Sequence, residues 1–287
     1  MIQKLKNSLA YRLPQFYRAW LAKRSFPSFI AKENTDITVV TMTGKKLIDM
    51  TRLSILSIAR SWDKLPRLII ITDGTISTTA IKEKLLFWKG ELQIEDWQST
   101  AQYHLNKKRN SLVNYAHHHV LGKKMAVIFH YAELTPILWL DSDILFFNDF
   151  IKYIPHHNGE EMICAGSEDY SAVYDDRVLN FYGNNLYDLY KFNSGVLFVY
   201  GIDIYERFNI EMLLNELTSY HYFFTEQTVF AHIASKSKGI LWTTAVIKNF
   251  NSDNQQLKPM SVTNVIGRHY TTNVRHLFWR DAFSNLN

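Results

Sequence analysis

Asp141 and Asp143, separated only by Ser142, follow the apolar run Ile137-Leu138-Trp139-Leu140 and precede a second one, Ile144-Leu145-Phe146-Phe147. Two carboxylates one residue apart repel each other unless a positive charge sits between them. Hard divalent cations with oxygen ligands, Mg²⁺ or Mn²⁺, are the usual solution, and they commonly share their coordination with substrate phosphates. Four large hydrophobes ending at a polar break read as a buried parallel strand emerging at the edge of its sheet, which is where ligands of open α/β sheets collect. The alternative for the same residues is an exposed turn, because Asp and Ser both favour turns.

Three further stretches place chemistry-bearing residues beside apolar elements. Phe192-Asn193-Ser194-Gly195-Val196-Leu197-Phe198 leads a polar pair and a glycine into a strand. Gly195 there permits a close backbone approach, or simply marks a turn entering the core. Thr225-Glu226-Gln227-Thr228-Val229-Phe230 opens an apolar helix. Thr225 as N-cap and Glu226 as a first-turn anion explain two of these residues, but capping does not require Gln227. Gly267-Arg268-His269-Tyr270 continues through Arg275 and His276 to Trp279. The run His117-His118-His119 is set aside, since successive helical residues point about 100° apart and cannot converge on one ion.

The elements that position these residues follow from hydrophobic patterning. Strands are predicted at 37–41, 68–72, 92–94 and 137–140, with Asp73-Gly74 closing the second. Helices are predicted at 51–61 and 79–89, and at 110–120 and 123–134, the last two split at Gly122. This alternation predicts a mostly parallel sheet with helices on both faces. Further on, strands are predicted at 162–165, 195–200 and 262–266, and helices at 203–218 and 225–236. There is no linker rich in Pro, Gly or Ser and no internal repeat. One compact domain over residues 31–287 is expected, its C-terminal segment folding back over the site.

The chain has 287 residues, of which 47% are hydrophobic and 21% charged, with 18 Phe, 16 Tyr and 7 Trp, so a large core and ring-lined pockets are within reach. No stretch approaches the ~18 consecutive apolar residues needed to span a bilayer, and basic residues interrupt every apolar run at the N-terminus. The single cysteine, Cys164, lies in an apolar run and cannot form an intrachain disulfide, which suits a reducing, cytoplasmic setting. Residues 1–30 carry Lys4, Lys6, Arg12, Arg18, Lys23 and Arg24 beside Ile2, Leu5, Leu9, Leu13, Phe16 and Trp20 at spacings of three and four. That pattern predicts two basic amphipathic helices broken at Pro14, which could lie on an anionic membrane surface or pack against the rest of the protein. The net charge of +5 is not interleaved with aromatics in any nucleic-acid module, so a positive cleft for a phosphorylated substrate is its simpler use.

The order of these elements, with Asp-Ser-Asp in mid-chain, resembles the GT-A fold glycosyltransferases, and most of all the family 8 (glycogenin and galactosyltransferase-like) group. The resemblance covers about residues 36–280 and rests on the four motifs above. It implies a GT-A α/β fold and a Mn²⁺ or Mg²⁺ ion held by Asp141, Asp143 and His269, with His276 as the other candidate histidine. It implies that the ion grips the diphosphate of a nucleotide-sugar, a UDP-sugar above all, and neutralises the departing nucleotide. Arg275 would clamp a phosphate, and Lys124 would lie near the donor at the start of its helix. Ser142, Ser194 and Gly195 would border the donor, and Thr41 and Thr43 would adjoin nucleobase and ribose. Asn193 would bond the donor sugar, and Glu168 or Asp169 its hydroxyls, unless one of these acids is a general base. Glu226 and Gln227 stand where the family has Asp-Gln-Asp; in retaining members that glutamine faces the anomeric carbon opposite the leaving group. Glu226, Thr228, Thr272 and the pair Arg275-His276 depart from the family pattern, so sugar contacts are expected to differ.

The rival readings have weaker support. A glycoside hydrolase needs carboxylates ~5–9.5 Å apart across a sugar, and a P-loop kinase needs its glycine-rich signature. A nucleotidyltransferase would call for more glycine than Thr41-Met42-Thr43-Gly44-Lys45-Lys46 offers. A non-catalytic nucleotide-sugar binder of the same fold would have little use for Asp-Ser-Asp together with His269. The acceptor is left open between a glycan, a lipid-linked glycan, a peptide and a small molecule.

Overall fold

The computed structural model describes residues 2–27, 32–156, 162–217, 222–237, 239–249, 262–271 and 274–286, with side chains from Arg12 onward. The first part of the basic stripe, with Ile2, Leu5 and Leu9, and also Thr272, therefore have side chains outside the described residues.

The main sheet holds seven strands: β1 (Asn34–Thr43), β2 (Leu65–Thr72), β3 (Leu92–Asp96), β4 (Ile137–Leu140), β6 (Ile163–Glu168), β7 (Phe192–Tyr200) and β8 (Leu241–Trp242). A smaller sheet is built from β5 (Ile144–Phe146), β9 (Ile247–Asn249) and β10 (Gly267–His269). The main order is β3-β2-β1-β4-β7-β6-β8. All neighbours are parallel except the two pairings of β7, with β4 and β6. The helices are α1 (Ile2–Lys23), α2 (Ile48–Ser61), α3 (Thr78–Lys84), α4 (Trp97–Asn106), α5 (Asn110–His118) and α6 (Val120–Ala132). They continue with α7 (Asp176–Tyr182), α8 (Ile204–Arg207), α9 (Ile210–Glu216), α10 (Thr225–Ser235) and α11 (Arg275–Leu286).

The predicted mostly parallel sheet with helices on both faces is what the structure shows. Strand β4 makes the reason visible. Leu138 and Leu140 pack into the layer containing α2 and α11, while Ile137 and Trp139 pack into the layer containing α4 to α6 and α8 to α10. All four residues are buried, and burying each such side chain contributes about 1.5–3 kcal/mol. A slip of one residue would exchange the two faces, so the core fixes where Asp141 leaves the sheet. The bond from Asp141 N to Gly195 O, 2.8 Å, ties that exit to β7.

Several boundaries differ from the sequence reading. Helix α1 runs unbroken through Pro14, which is buried. Tyr17 stacks on Phe283 of α11, Trp20 meets the same ring edge-on, and Leu21 lies in the core. This packing offsets the backbone bond that an interior proline removes. Tyr17, Trp20 and Leu21 are thus spent inside the protein, while Leu13 and Phe16 remain exposed. No described helix is long and apolar enough to cross a membrane.

The break predicted at Gly122 falls instead at His119, whose Nδ1 accepts from Leu121 N and starts α6. Gly122 sits inside α6, where a Cβ would lie 2.6 Å from the Tyr115 backbone of α5, so its smallness serves helix packing. The other two histidines of the run diverge, His117 onto Trp97 and His118 onto Asn114 O. The helix predicted at 203–218 is two, α8 and α9, because Asn209 adopts a left-handed φ of 50°. The helix predicted at 79–89 ends at Lys84, and the strand predicted at 262–266 begins only at Gly267. The small sheet selects that register, pairing Gly267 to His269 with both β5 and β9.

Candidate active site

Strand β4, the turn after it, β7, β10 and the starts of α10 and α11 converge on a cavity of about 380 Å³ at the carboxyl edge of the parallel strands. Asp141, Asp143, Asp169, Asn193, Ser194, Gly195, Lys124, Glu226, Gln227, His269 and Arg275 all line it.

Asp141, Asp143 and His269 form the one cluster of three metal-capable side chains among the described residues, with ligand atoms within 4.8 Å of one another. His269 Nε2 lies 3.3 Å from Asp143 Oδ1 and 4.0 Å from Asp141 Oδ2. Octahedral Mg²⁺ with bonds of about 2.1 Å has ligand edges of about 3 Å and diameters of about 4.2 Å, so these separations span the range a small ion needs. Two carboxylates and an imidazole also suit Mn²⁺ chemically. The residues present fit a divalent ion. His276, half-buried, does not line the cavity.

The glycine of the second motif has a use other than admitting a donor. A Cβ on Gly195 would lie 2.3 Å from Cε1 of His269, so the imidazole occupies the space that a side chain would take. The ring's other nitrogen, Nδ1, lies 3.0 Å from Oδ1 of Asn249, a residue to which the motifs gave no role.

Charge is balanced by side chains. Arg275 donates from Nε and Nη2 to Oδ2 of Asp143, at 2.9 and 2.7 Å. Burial works against ionising Asp143, but His269 and Arg275 outweigh it and hold the carboxyl below its ordinary range. Burial also works against protonating His269, yet Asp143, with Asp141 and Asp169, raises it. Lys124, in the second turn of α6 rather than at its start, is buried with its Nζ 3.2 Å from Asp141 Oδ1, 3.4 Å from Glu226 Oε1 and 2.9 Å from Ser194 O. Trp139 Nε1 donates to Asp141 Oδ1 at 2.8 Å.

Glu226 is the surplus acid. Burial pushes it up to about 7, with Lys124 pulling it down and Asp141 pushing it further up. Lys124 is nonetheless raised, burial opposing its charge and Asp141 leading the groups that favour it. The two shifts are reconciled if Asp141 is the main partner of Lys124. A carboxyl raised on folding lends stability that is complete below the ordinary glutamate range and is lost as pH climbs through the folded value. In chelator, Glu226→Gln should therefore melt increasingly above wild type between about pH 5 and pH 8. A difference that stays flat across that range in thermal melts would contradict the assignment.

The remaining candidates divide. Asn193 accepts from Gly195 N and donates to Asp169 Oδ2, both within the cavity wall. Gln227 donates to Val173 O at 3.1 Å. Of the two acids after β6, Asp169 lines the cavity whereas Glu168 accepts from Thr244 N and does not. Thr41 and Thr43 are buried and bonded internally, to Leu140 O and Thr51, and Ser142 is buried outside the cavity lining. Thr225 is not the cap of α10. Phe224 holds that position, and the Thr225 hydroxyl donates to Asp175. Tyr170 and Phe223, each 56% exposed, stand at the mouth with Phe224, ring faces that no motif had singled out.

In sequence, no family model and no curated protein matches the chain. Solved structures do match in fold. Apo mouse xyloside xylosyltransferase 1 superposes with a TM-score of 0.55 at 14% identity, covering 84% of this chain and 99% of that one. The galactosyltransferase LgtC, solved with donor and acceptor sugar analogues, gives 0.54 at 14% identity, covering 88% of this chain and 97% of that one. The bifunctional glycosyltransferase WbbM gives 0.58 at 13% identity, with 90% of this chain aligned to 51% of that longer one. The fold is the GT-A fold that these structures share.

Proposed function

We propose that this chain is a divalent-metal-dependent glycosyltransferase of the family 8 type, moving a sugar from a nucleoside-diphosphate donor, a UDP-sugar, to an acceptor hydroxyl or other nucleophile. The observation that carries this reading is the convergence of Asp141, Asp143 and His269 with Lys124 and Arg275 in one cavity at the sheet edge. Asp141, Asp143 and His269 would hold a cation, and Lys124 and Arg275 would add positive charge in the same cavity. A pyrophosphate needs both.

Bound there, Mn²⁺ or Mg²⁺ supplies charge neutralisation to the departing nucleoside diphosphate without proton transfer. Arg275, 44% exposed, is free to turn its planar guanidinium from Asp143 to a phosphate oxygen. Lys124 is buried and fixed, and acts by holding Asp141 and adding positive field. Asn193 and Asp169, bonded to each other, present polar edges to the sugar, and Gln227 lines the same cavity. A carboxamide there cannot act as a base, which accords with retention of anomeric configuration. The aromatic mouth around Tyr170 and Phe223 offers flat apolar faces to an arriving acceptor. Residues 31–287 act in this reading as one catalytic domain.

The test is a thermal-shift screen of nucleotide-sugars with and without Mn²⁺. A donor at 100 times its Kd stabilises by about 2.7 kcal/mol, a rise of roughly 5 °C for a chain of this size. The expected result is a rise with one UDP-sugar that requires Mn²⁺ and is reversed by EDTA. Stabilisation by nucleoside triphosphates alone would favour a nucleotidyltransferase, and sugar transfer undiminished in excess EDTA would end the metal-dependent reading.

A further inference from the structure

We infer that Asn249 is a positioning residue that fixes which nitrogen of His269 is offered to a metal ion. This rests on reading Asp141, Asp143 and His269 as the ligands, and the argument is one of hydrogen-bond direction. Strand β9 lies parallel to β10 in a register that sets Asn249 opposite His269. The side chain of Asn249 is buried between that imidazole and the end of β6.

Its Nδ2 lies 2.5 Å from the carbonyl oxygen of Glu168 and 3.3 Å from Ser167 Oγ. A carbonyl can only accept, so the amide group facing Glu168 must be the NH₂, and the orientation of the carboxamide follows. Its Oδ1 then faces the ring, 3.0 Å from Nδ1 of His269. An amide oxygen also can only accept, so Nδ1 carries a proton. Whatever the charge on the ring, Nδ1 keeps that proton, and the one that leaves comes from Nε2. Nε2 is the nitrogen that faces Asp143 Oδ1 and Asp141 Oδ2. The neutral ring therefore presents its lone pair to the acid pair.

Two constraints act together on the imidazole. Gly195 gives the ring its space, and Asn249 gives it its direction. A ligating histidine whose second nitrogen donates to an outer partner is the common arrangement at metal centres, and loss of that partner typically costs 10–100-fold in metal affinity.

The experiment has two readouts on the full chain. The first is a long-range ¹H–¹⁵N correlation spectrum of the histidine rings in metal-free protein, at a pH where the ring is neutral, with His269 assigned by His269→Gln. The expected wild-type pattern is protonated Nδ1 and bare Nε2, whereas Asn249→Leu should shift the ring towards the other tautomer. The second is Mn²⁺ affinity by calorimetry, which Asn249→Leu should weaken by about 10–100-fold. A wild-type ring protonated at Nε2 overturns the inference whether or not the variant folds. A folded Asn249→Leu that binds Mn²⁺ as wild type does also overturns it. If the wild type itself binds no Mn²⁺, the function reading fails, and the ring spectrum still decides which nitrogen Asn249 protonates.

Discussion

Asp143→Asn should remove Mn²⁺ binding and cut sugar transfer by at least about 10²–10³-fold, the usual cost of losing one transition-state charge contact, while leaving the protein folded. Asparagine keeps the volume of this buried side chain, so no cavity opens. What goes is the negative charge that draws both Arg275 and His269 to one point. Arg275 is exposed enough to regain water, and His269 can lose its proton, so neither is left as a stranded buried ion. The cost in metal-free stability should be about 1.5–3 kcal/mol, that of charged hydrogen bonds. Loss of function is thereby separable from loss of fold. Calorimetric Mn²⁺ titration, apo melting and a transfer assay on one preparation would check it. Turnover within a few-fold of wild type would show that Asp143 is not a ligand.

Lys124→Met should be the most destabilising change at the site. The ammonium is buried between Asp141 and Glu226 with Ser194 O completing its shell. Methionine of similar length leaves two carboxylates facing each other across an apolar gap. Removing one partner of a buried ion pair typically costs about 3–5 kcal/mol, because the remaining charge has lost both water and its counter-ion. For a chain of this size each kcal/mol lowers Tm by about 2 °C, so the fall should be about 6–10 °C. Glu226→Gln removes one of the stranded acids and should recover part of that loss. A double-mutant cycle should show a coupling of about 1–3 kcal/mol. A Tm for Lys124→Met within about 2 °C of wild type would mean that the lysine is solvated and not the hub of this network.

Parts of this site were legible in the sequence because a core strand leads into them. Ile137 to Leu140 announce burial on both faces, which puts Asp141 and Asp143 at a sheet edge from sequence alone. His269 and Arg275 were singled out through the resemblance to a family motif, and the structure brings both to Asp143. Thr41 and Thr43 end the right strand, but nothing in a sequence tells whether a threonine hydroxyl faces a ligand or, as here, a neighbouring element. Which of Glu168 and Asp169 lines the cavity depends on how the chain leaves β6, which the sequence does not show. Asn249 was invisible for a different reason. Its role is set by a parallel pairing twenty residues from its partner in the chain, and a lone asparagine near apolar residues carries no signal of that. Pro14 misled because packing against α11 overrode a local rule.

The buried Asp281 of α11 pairs with Arg268 and accepts from Tyr270 at 2.8 Å, clasping the strand that carries His269 from both sides of that residue. The imidazole is therefore secured by the last helix described, while the acids it meets are synthesised in the middle of the chain. A growing polypeptide on the ribosome would expose Asp141 and Asp143 long before either His269 or Arg275 had been made. The centre is therefore completed only after β10 and α11 have been made.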